Sequence, residues 1–380
     1  MIISAPLRDA IAQIETPAVL IEEAVLARNI QRLSGIATQA GVALRPHVKT
    51  HKSLWLAGLQ RQAGAAGVTA AKASEAVVFL EGGFRDVTVA YPLLDRRKIA
   101  RTLAAARQAA ASLRLVVDSS ASVEAIAAEA AQATYSVALF VEIDVGLGRC
   151  GIAPEFRAVA SLVDLIAQKP FLSFAGLFSH AGHAYRCDGP AAITEVAETE
   201  RRLMTGLAKA LRHAGIAVPA VSVGSTPTVM LARDFTGLTE IRPGNAVFMD
   251  MTQVALGVAT RAEIALSVIA TVVSANATHS IVDAGSKMLS SDQGPHGSKA
   301  LSGYGLAVPQ ADPSREMPLV ALSEEHGFIA TGNRPLTPGE RVRIWPNHAC
   351  PVVNLVEALT VVSPDGALCS RPVDARGCVW

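Results

Sequence analysis

The feature that most restricts this fold is a rhythm. Over the first two-thirds of the chain, short β-branched runs alternate with longer segments rich in alanine and leucine. Eight runs read as strands: residues 42–48, 67–71, 86–91, 113–118, 137–144, 173–179, 220–224 and 240–248. The segments between them, 54–63, 74–81, 96–110, 121–133, 158–167 and 192–214, carry apolar residues three and four apart, as amphipathic helices do. A further helix, 22–40, precedes the first strand. Strand–helix–strand succession implies parallel pairing through right-handed crossovers. Eight such units close into a barrel. A doubly wound open sheet is the competing arrangement, but the glycine fingerprint of a dinucleotide site is missing after the first strands.

From about residue 261 the rhythm changes. Segments 264–273, 280–284, 319–323, 341–345 and 358–362 read as strands without long helices between them, and 369–373 adds another. The fold class expected is therefore α/β. An N-terminal (β/α)8 TIM-type barrel spans 17–255, and a C-terminal β domain spans 256–380 and takes in the N-terminal segment 1–16. A chain of 380 residues is long enough for two such cores.

Composition narrows the function classes. The net charge of +1, with no basic stripe, argues against nucleic acid. No apolar run has the length to cross a bilayer, and the first residues lack a secretory apolar region, so a cytoplasmic enzyme is expected. The five cysteines are odd in number and scattered, which fits reduced thiols better than a disulfide framework.

In a barrel of this kind chemistry gathers at the C-terminal ends of the strands. Residues 44–53, Leu-Arg-Pro-His-Val-Lys-Thr-His-Lys-Ser, place two histidines, two lysines and an arginine at the first such end. If the run stays extended, Arg45, His47 and Lys49 share a face. Neighbouring cations disfavour a protonated lysine and free its amine as a nucleophile. A basic strand end facing solvent is the plainer alternative. Arg149 ends the fifth strand between glycines, where a guanidinium could hold a carboxylate or phenolate oxygen. His180, with His183 and Tyr185, ends the sixth; His180 could stack on a planar ring or relay protons. Gly224-Ser225-Thr226 and Gly244-Asn245 on the last two strands could cradle a phosphate, and Arg242 lies beside them. In the second domain, His348-Ala-Cys350 has metal-ligand spacing. If extended, it presents both side chains on one face. Two ligands leave positions open for water and substrate, and Glu325 or His326 could support them from behind.

With these motifs in view, the chain resembles the fold-type-III pyridoxal phosphate enzymes of the alanine racemase superfamily. More narrowly it resembles the D-threonine aldolase and D-serine dehydratase group. The resemblance runs from about residue 17 to the C-terminus. It is carried by Arg-Pro-His-Val-Lys-Thr-His-Lys, Val-Glu-Ile-Asp-Val-Gly-Leu-Gly-Arg-Cys-Gly, Val-Gly-Ser-Thr-Pro-Thr, Glu-His-Gly and Pro-Asn-His-Ala-Cys. It implies a homodimer that binds pyridoxal 5′-phosphate and a divalent metal, Zn, Mn or Mg, and acts on a small D-amino acid. Lys49 would carry the cofactor as a Schiff base, with His47 beside it. Arg149 would contact the 3′ oxygen, and His180 would lie against the ring. Ser225, Thr226, Gly244 and Asn245 would bind phosphate, and Arg242 would face the pyridine nitrogen. His180 and Tyr185 join Lys49 as catalytic candidates, and His348 and Cys350 would hold the metal. The group's aldolases read His-x-Asp at the metal and its dehydratases His-x-Cys, so Cys350 favours a dehydratase acting on D-serine or D-threo-3-hydroxyaspartate. Gly-Leu-Gly-Arg-Cys-Gly and Cys-Pro-Val-Val-Asn lean instead towards an aldolase that yields glycine and an aldehyde.

Overall fold

A computed structural model describes residues 5–297 and 301–380 of the chain. They form two compact units: Met1–Arg32, Thr50–Trp55 and Asn245–Gly377 make one, and Leu33–Lys49, Leu56–Gly244 and Cys378–Trp380 the other.

The first strand, β1 (Ala18–Glu22), belongs to the unit that holds the C-terminal region. Next come β2 (Ala43–Leu44), β3 (Val68–Ala70), β4 (Asp86–Pro92), β5 (Ser112–Val117), β6 (Val137–Ile143), β7 (Leu172–Ser179), β8 (Ala220–Val223) and β9 (Glu240–Ile241). Each of these eight falls within or close to a run expected from the sequence. Among the described residues they form one parallel sheet in the order β2-β9-β8-β7-β6-β5-β4-β3. A parallel bridge from His47 to Thr69 links its two ends, so the sheet curls into a TIM-type barrel. The first and last strands are shorter than the sequence suggests. The Lys49 segment leaves the extended conformation after His47, and the chain after Ile241 turns at Pro243.

The connecting helices carry their own start signals. Asp95 caps Arg96–Gln108 by accepting from the Arg97 N–H at 2.9 Å, and Ser119 caps Ser120–Ala133. Val116, Phe140 and Phe178 pack together in the barrel, and the Phe140 and Phe178 ring centroids lie 5.8 Å apart.

The remaining strands are β10 (Leu266–Ala275), β11 (His279–Val282), β12 (Gly305–Pro309), β13 (Met317–Leu322), β14 (Gly327–Ala330), β15 (Arg341–Pro346), β16 (Ala358–Val362) and β17 (Leu368–Pro372). With β1 they form a mixed sheet ordered β11-β14-β13-β12-β15-β10-β1-β16-β17, and β10 also pairs with β11 to close the first six strands into an antiparallel barrel. The sequence reading had no strand at β1, β12 or β14, which are only five, five and four residues long. The N-terminal helix Ala5–Gln13 sets Leu7, Ala10 and Ile11 against Leu20, Ile269 and Val362. No helix among the described residues is long and apolar enough to cross a membrane.

Candidate cofactor and metal sites

The Lys49 segment starts as sheet and ends as a turn. Arg45 N–H donates to the Ile241 carbonyl at 3.0 Å and His47 N–H to the Pro243 carbonyl at 3.1 Å. Val48–Thr50 then winds into a 3-10 turn that carries Lys49. The expected alternation of Arg45, His47 and Lys49 along one extended face therefore stops at His47. Arg45 is also not a bare cation beside the lysine. It is 4% exposed, donates from Nε to Glu240 Oε2 at 2.6 Å, and pairs with Asp86 at 2.7 Å. His47 does sense the neighbourhood expected for it. Burial first, then the charges of Lys49, Arg242, His180 and Arg149, depress its pKa and keep the imidazole neutral. These five residues of the barrel unit are thus electrostatic neighbours.

Arg149 rides on a loop pinned at both ends. Asp144 accepts from the Gly146 and Gly148 N–H groups at 3.0 and 3.1 Å. Gly151 donates to Asp118 Oδ2 at 3.2 Å, and Ile152 pairs back onto β6. Gly151 has φ +100°, and a Cβ there would stand 2.7 Å from the Asp144 nitrogen, so this return requires glycine. Glu142 faces the same region. Burial pushes its carboxyl up to about 7 against the pull of Arg149 and Arg242.

Beyond His180, Gly182–Arg186 forms a 3-10 turn with Tyr185 buried in it. His183 packs beside Gly146, and its Nδ1 is buried without a hydrogen-bond partner among the described residues. Gly224, at φ +113°, leads into the helix Thr226–Leu231. The Ser225 hydroxyl is engaged at the helix cap, 3.0 Å from Thr228 Oγ1, a partner the sequence reading did not single out. Arg242 is 3% exposed, donates from Nε to Ser222 Oγ at 2.6 Å, and lies 3.4 Å above the Phe178 ring. Burial lowers its pKa to about 10, with Glu240, Glu200 and Glu142 opposing the fall. Gly244 ends this unit. Asn245 opens a 3-10 turn in the other, where its Nδ2 donates to Asp250 at 2.5 Å and its Oδ1 is buried without a partner among the described residues.

These residues fit pyridoxal phosphate. Lys49, Arg149 and Arg242 act together on one histidine and suit a ligand with a phosphate and a phenolate, and Lys49 would offer the amine such an aldehyde needs.

His348 is the residue preceding the helix Ala349–Leu355, and Cys350 lies in that helix's first turn, so the expected extended segment is in fact a helix start. The two side chains still converge, by a different geometry, and are hydrogen-bonded to each other. His348 Nδ1 lies 2.8 Å from Asp292 Oδ2, and the Cys350 thiol donates to Thr50 Oγ1 at 3.3 Å. Burial opposes a charge on His348, but Cys350, Asp292 and Asp250 raise its pKa to about 10. A site that favours positive charge on an imidazole beside a sulfur suits a divalent ion. The supporting acid is Asp292. Glu325 pairs with Lys287 at 2.7 Å, and His326 bonds Ser323. Among the described residues no third His, Cys, Asp or Glu completes a ligand set.

Residues 21–252 match the N-terminal domain of alanine racemase, and residues 265–362 match a serine dehydratase domain. The D-threo-3-hydroxyaspartate dehydratase of Delftia sp. is 35% identical over 95% of this chain and 98% of its own. Its solved structure superposes with a TM-score of 0.89. The D-serine dehydratase of Dictyostelium discoideum is 29% identical over 95% of this chain and 96% of its own. The D-threonine aldolase of Arthrobacter sp. is also 29% identical, over 97% and 94%. This family of lyases implies pyridoxal phosphate and a metal. The chain belongs to the alanine racemase-like D-serine dehydratase and D-threonine aldolase family.

Proposed function

We propose that this chain is a dehydratase of D-3-hydroxy-amino acids, with D-threo-3-hydroxyaspartate and D-serine as substrates and a 2-oxo acid and ammonia as products. The observation that carries the reading is the paired imidazole and sulfur of His348 and Cys350, backed by Asp292 at 2.8 Å. Pyridoxal phosphate held on Lys49 would supply the electron-withdrawing ring that acidifies the substrate Cα. A divalent ion on His348 and Cys350 would supply Lewis acidity for the departing hydroxyl, and a donor set of imidazole and thiolate favours zinc.

The chain's own residues do the rest. The Lys49 amine takes the Cα proton. Loss of the β-hydroxyl leaves an enamine, which hydrolyses to the oxo acid and ammonia. Arg149 would hold the phenolate oxygen. The turns at Ser225 and Thr226 and at Gly244-Asn245 offer N–H groups to the phosphate. His47, held neutral, and His180 would pack against the ring, and Tyr185 lies on the turn beyond His180. Arg242 keeps its proton, so it would hydrogen-bond the ring nitrogen without protonating it. That would limit how far negative charge can spread from Cα and favour prompt departure of the hydroxyl. The active form is a homodimer in this reading.

The runner-up is retro-aldol cleavage, favoured by the Gly-Leu-Gly-Arg-Cys-Gly loop and the aldolase relative. Incubation with D-serine, D-threonine and D-threo-3-hydroxyaspartate separates the two. Oxo acid with ammonia supports the dehydratase; glycine with an aldehyde overturns it.

A further inference from the structure

Glu240 is the meeting point of two paths through the interior of the barrel unit. It stands on β9 between Ala43 of β2 and Ser222 of β8 in the sheet register. One carboxylate oxygen, Oε2, accepts from Arg45 Nε at 2.6 Å and from Arg114 at 3.3 Å. The other, Oε1, accepts from the Ser222 hydroxyl at 2.6 Å. That hydroxyl in turn accepts from Arg242 Nε at 2.6 Å. A serine hydroxyl has one proton to give. Here it goes to Glu240, so a lone pair is left facing Arg242 and the bridge has one polarity.

The side chains of both paths are removed from water, with Arg45 4% exposed, Glu240 3%, Arg242 3% and Ser222 0%, while Arg114 at the edge of the network is partly exposed. Burial alone would push the Glu240 carboxyl up, yet Arg45, Ser222 and Arg114 hold it below the ordinary range, so it is an anion. Arg45 lies on the backbone run that leads to Lys49. Arg242 is fixed over Phe178 and by its bond to the Ser179 carbonyl, and Ser222 sets its remaining edge.

We propose that Glu240 is a positioning residue for the cofactor: through Arg45 it holds the segment that carries Lys49, and through Ser222 it aims Arg242. The proposal rests on the assignment of pyridoxal phosphate to this face of the barrel. Without the Glu240 anion, buried Arg45 loses its Nε acceptor and the Ser222 hydroxyl loses the acceptor that sets its polarity towards Arg242, so the anchoring segment and the ring-nitrogen contact loosen together.

The test uses full-length protein stripped of cofactor and titrated with pyridoxal phosphate. It reads affinity and the pH midpoint at which the visible band of the bound cofactor changes. Glu240→Gln should weaken affinity about tenfold or more, the size expected for losing hydrogen bonds to a charged group. It should also move the midpoint by about one pH unit. Ser222→Ala cuts the Arg242 arm alone. It should reproduce the midpoint shift while affinity stays within about threefold of wild type. Ser222→Thr keeps the hydroxyl and should restore the midpoint. A wild-type midpoint in Ser222→Ala, or wild-type affinity in Glu240→Gln, overturns the proposal. If Glu240→Gln shows no cooperative thermal transition, the Ser222 pair decides on the midpoint alone. Wild-type protein with no visible band dependent on Lys49 would sink the cofactor reading itself, and the proposal with it.

Discussion

Asp292 Oδ2 lies 2.8 Å from Nδ1 of His348, the histidine that also hydrogen-bonds Cys350. An outer acid of this kind fixes the ring and raises its basicity towards the ion. Asp292→Asn should therefore weaken metal affinity about 10- to 100-fold with the fold intact. Competition with a chelator measures this. Unchanged affinity would remove Asp292 from the site. Stripping the metal with EDTA should abolish activity, and a divalent ion should restore it; full activity in stripped protein would sink the His348 and Cys350 assignment.

Lys49→Ala should remove the visible band of bound pyridoxal phosphate. Lys52 is the alternative amine. It is 5% exposed with φ +50°, in a backbone whose carbonyl accepts from Ala375 at 2.9 Å. A band that survives in Lys49→Ala and disappears in Lys52→Ala would transfer the anchor.

Glu142 should make stability fall as pH rises. Its folded carboxyl titrates at about 7 rather than 4.5, so between those values the folded state binds more protons than the unfolded chain. The shift bounds the loss at about 3 kcal/mol. Glu142→Gln cannot titrate. In apoprotein its urea midpoint should match wild type near about pH 5 and exceed it by about pH 8. A difference that stays constant across that range would show that Glu142 does not titrate there.

Gly151→Ala should disturb both stability and cofactor binding. At φ +100°, with a Cβ position 2.7 Å from the Asp144 nitrogen, alanine would force the loop open at a cost of about 1–3 kcal/mol. The loop carries Arg149, so pyridoxal phosphate affinity should fall as well. Thermal melts and spectral titration check the two effects, and a variant that binds like wild type would separate the loop from the cofactor.

The strands of the α/β barrel were legible because buried parallel strands read as continuous apolar runs, as in Val137–Ile143. The strands β1, β12 and β14 were not, because stretches of four or five residues are too short to show a period. Arg45 shows the limit on the site. Its sequence neighbours suggest a cation beside Lys49, yet its partners, Glu240 and Asp86, lie far away in the chain.

The sequence by itself determined the alternation that closes the barrel, the change of rhythm near residue 261, and the residue types that fit a cofactor and a metal. These are local properties, written in periodicity and in short motifs. The tertiary structure decided that Lys49 rides a 3-10 turn, that His348 and Cys350 meet at a helix start, and that Asp292 rather than Glu325 or His326 supports the histidine. It also decided that one carboxylate, Glu240, serves both Arg45 and Ser222. The physical reason is the same in each case: a buried charge must find a partner, and the partner is chosen by proximity in the fold, not along the chain.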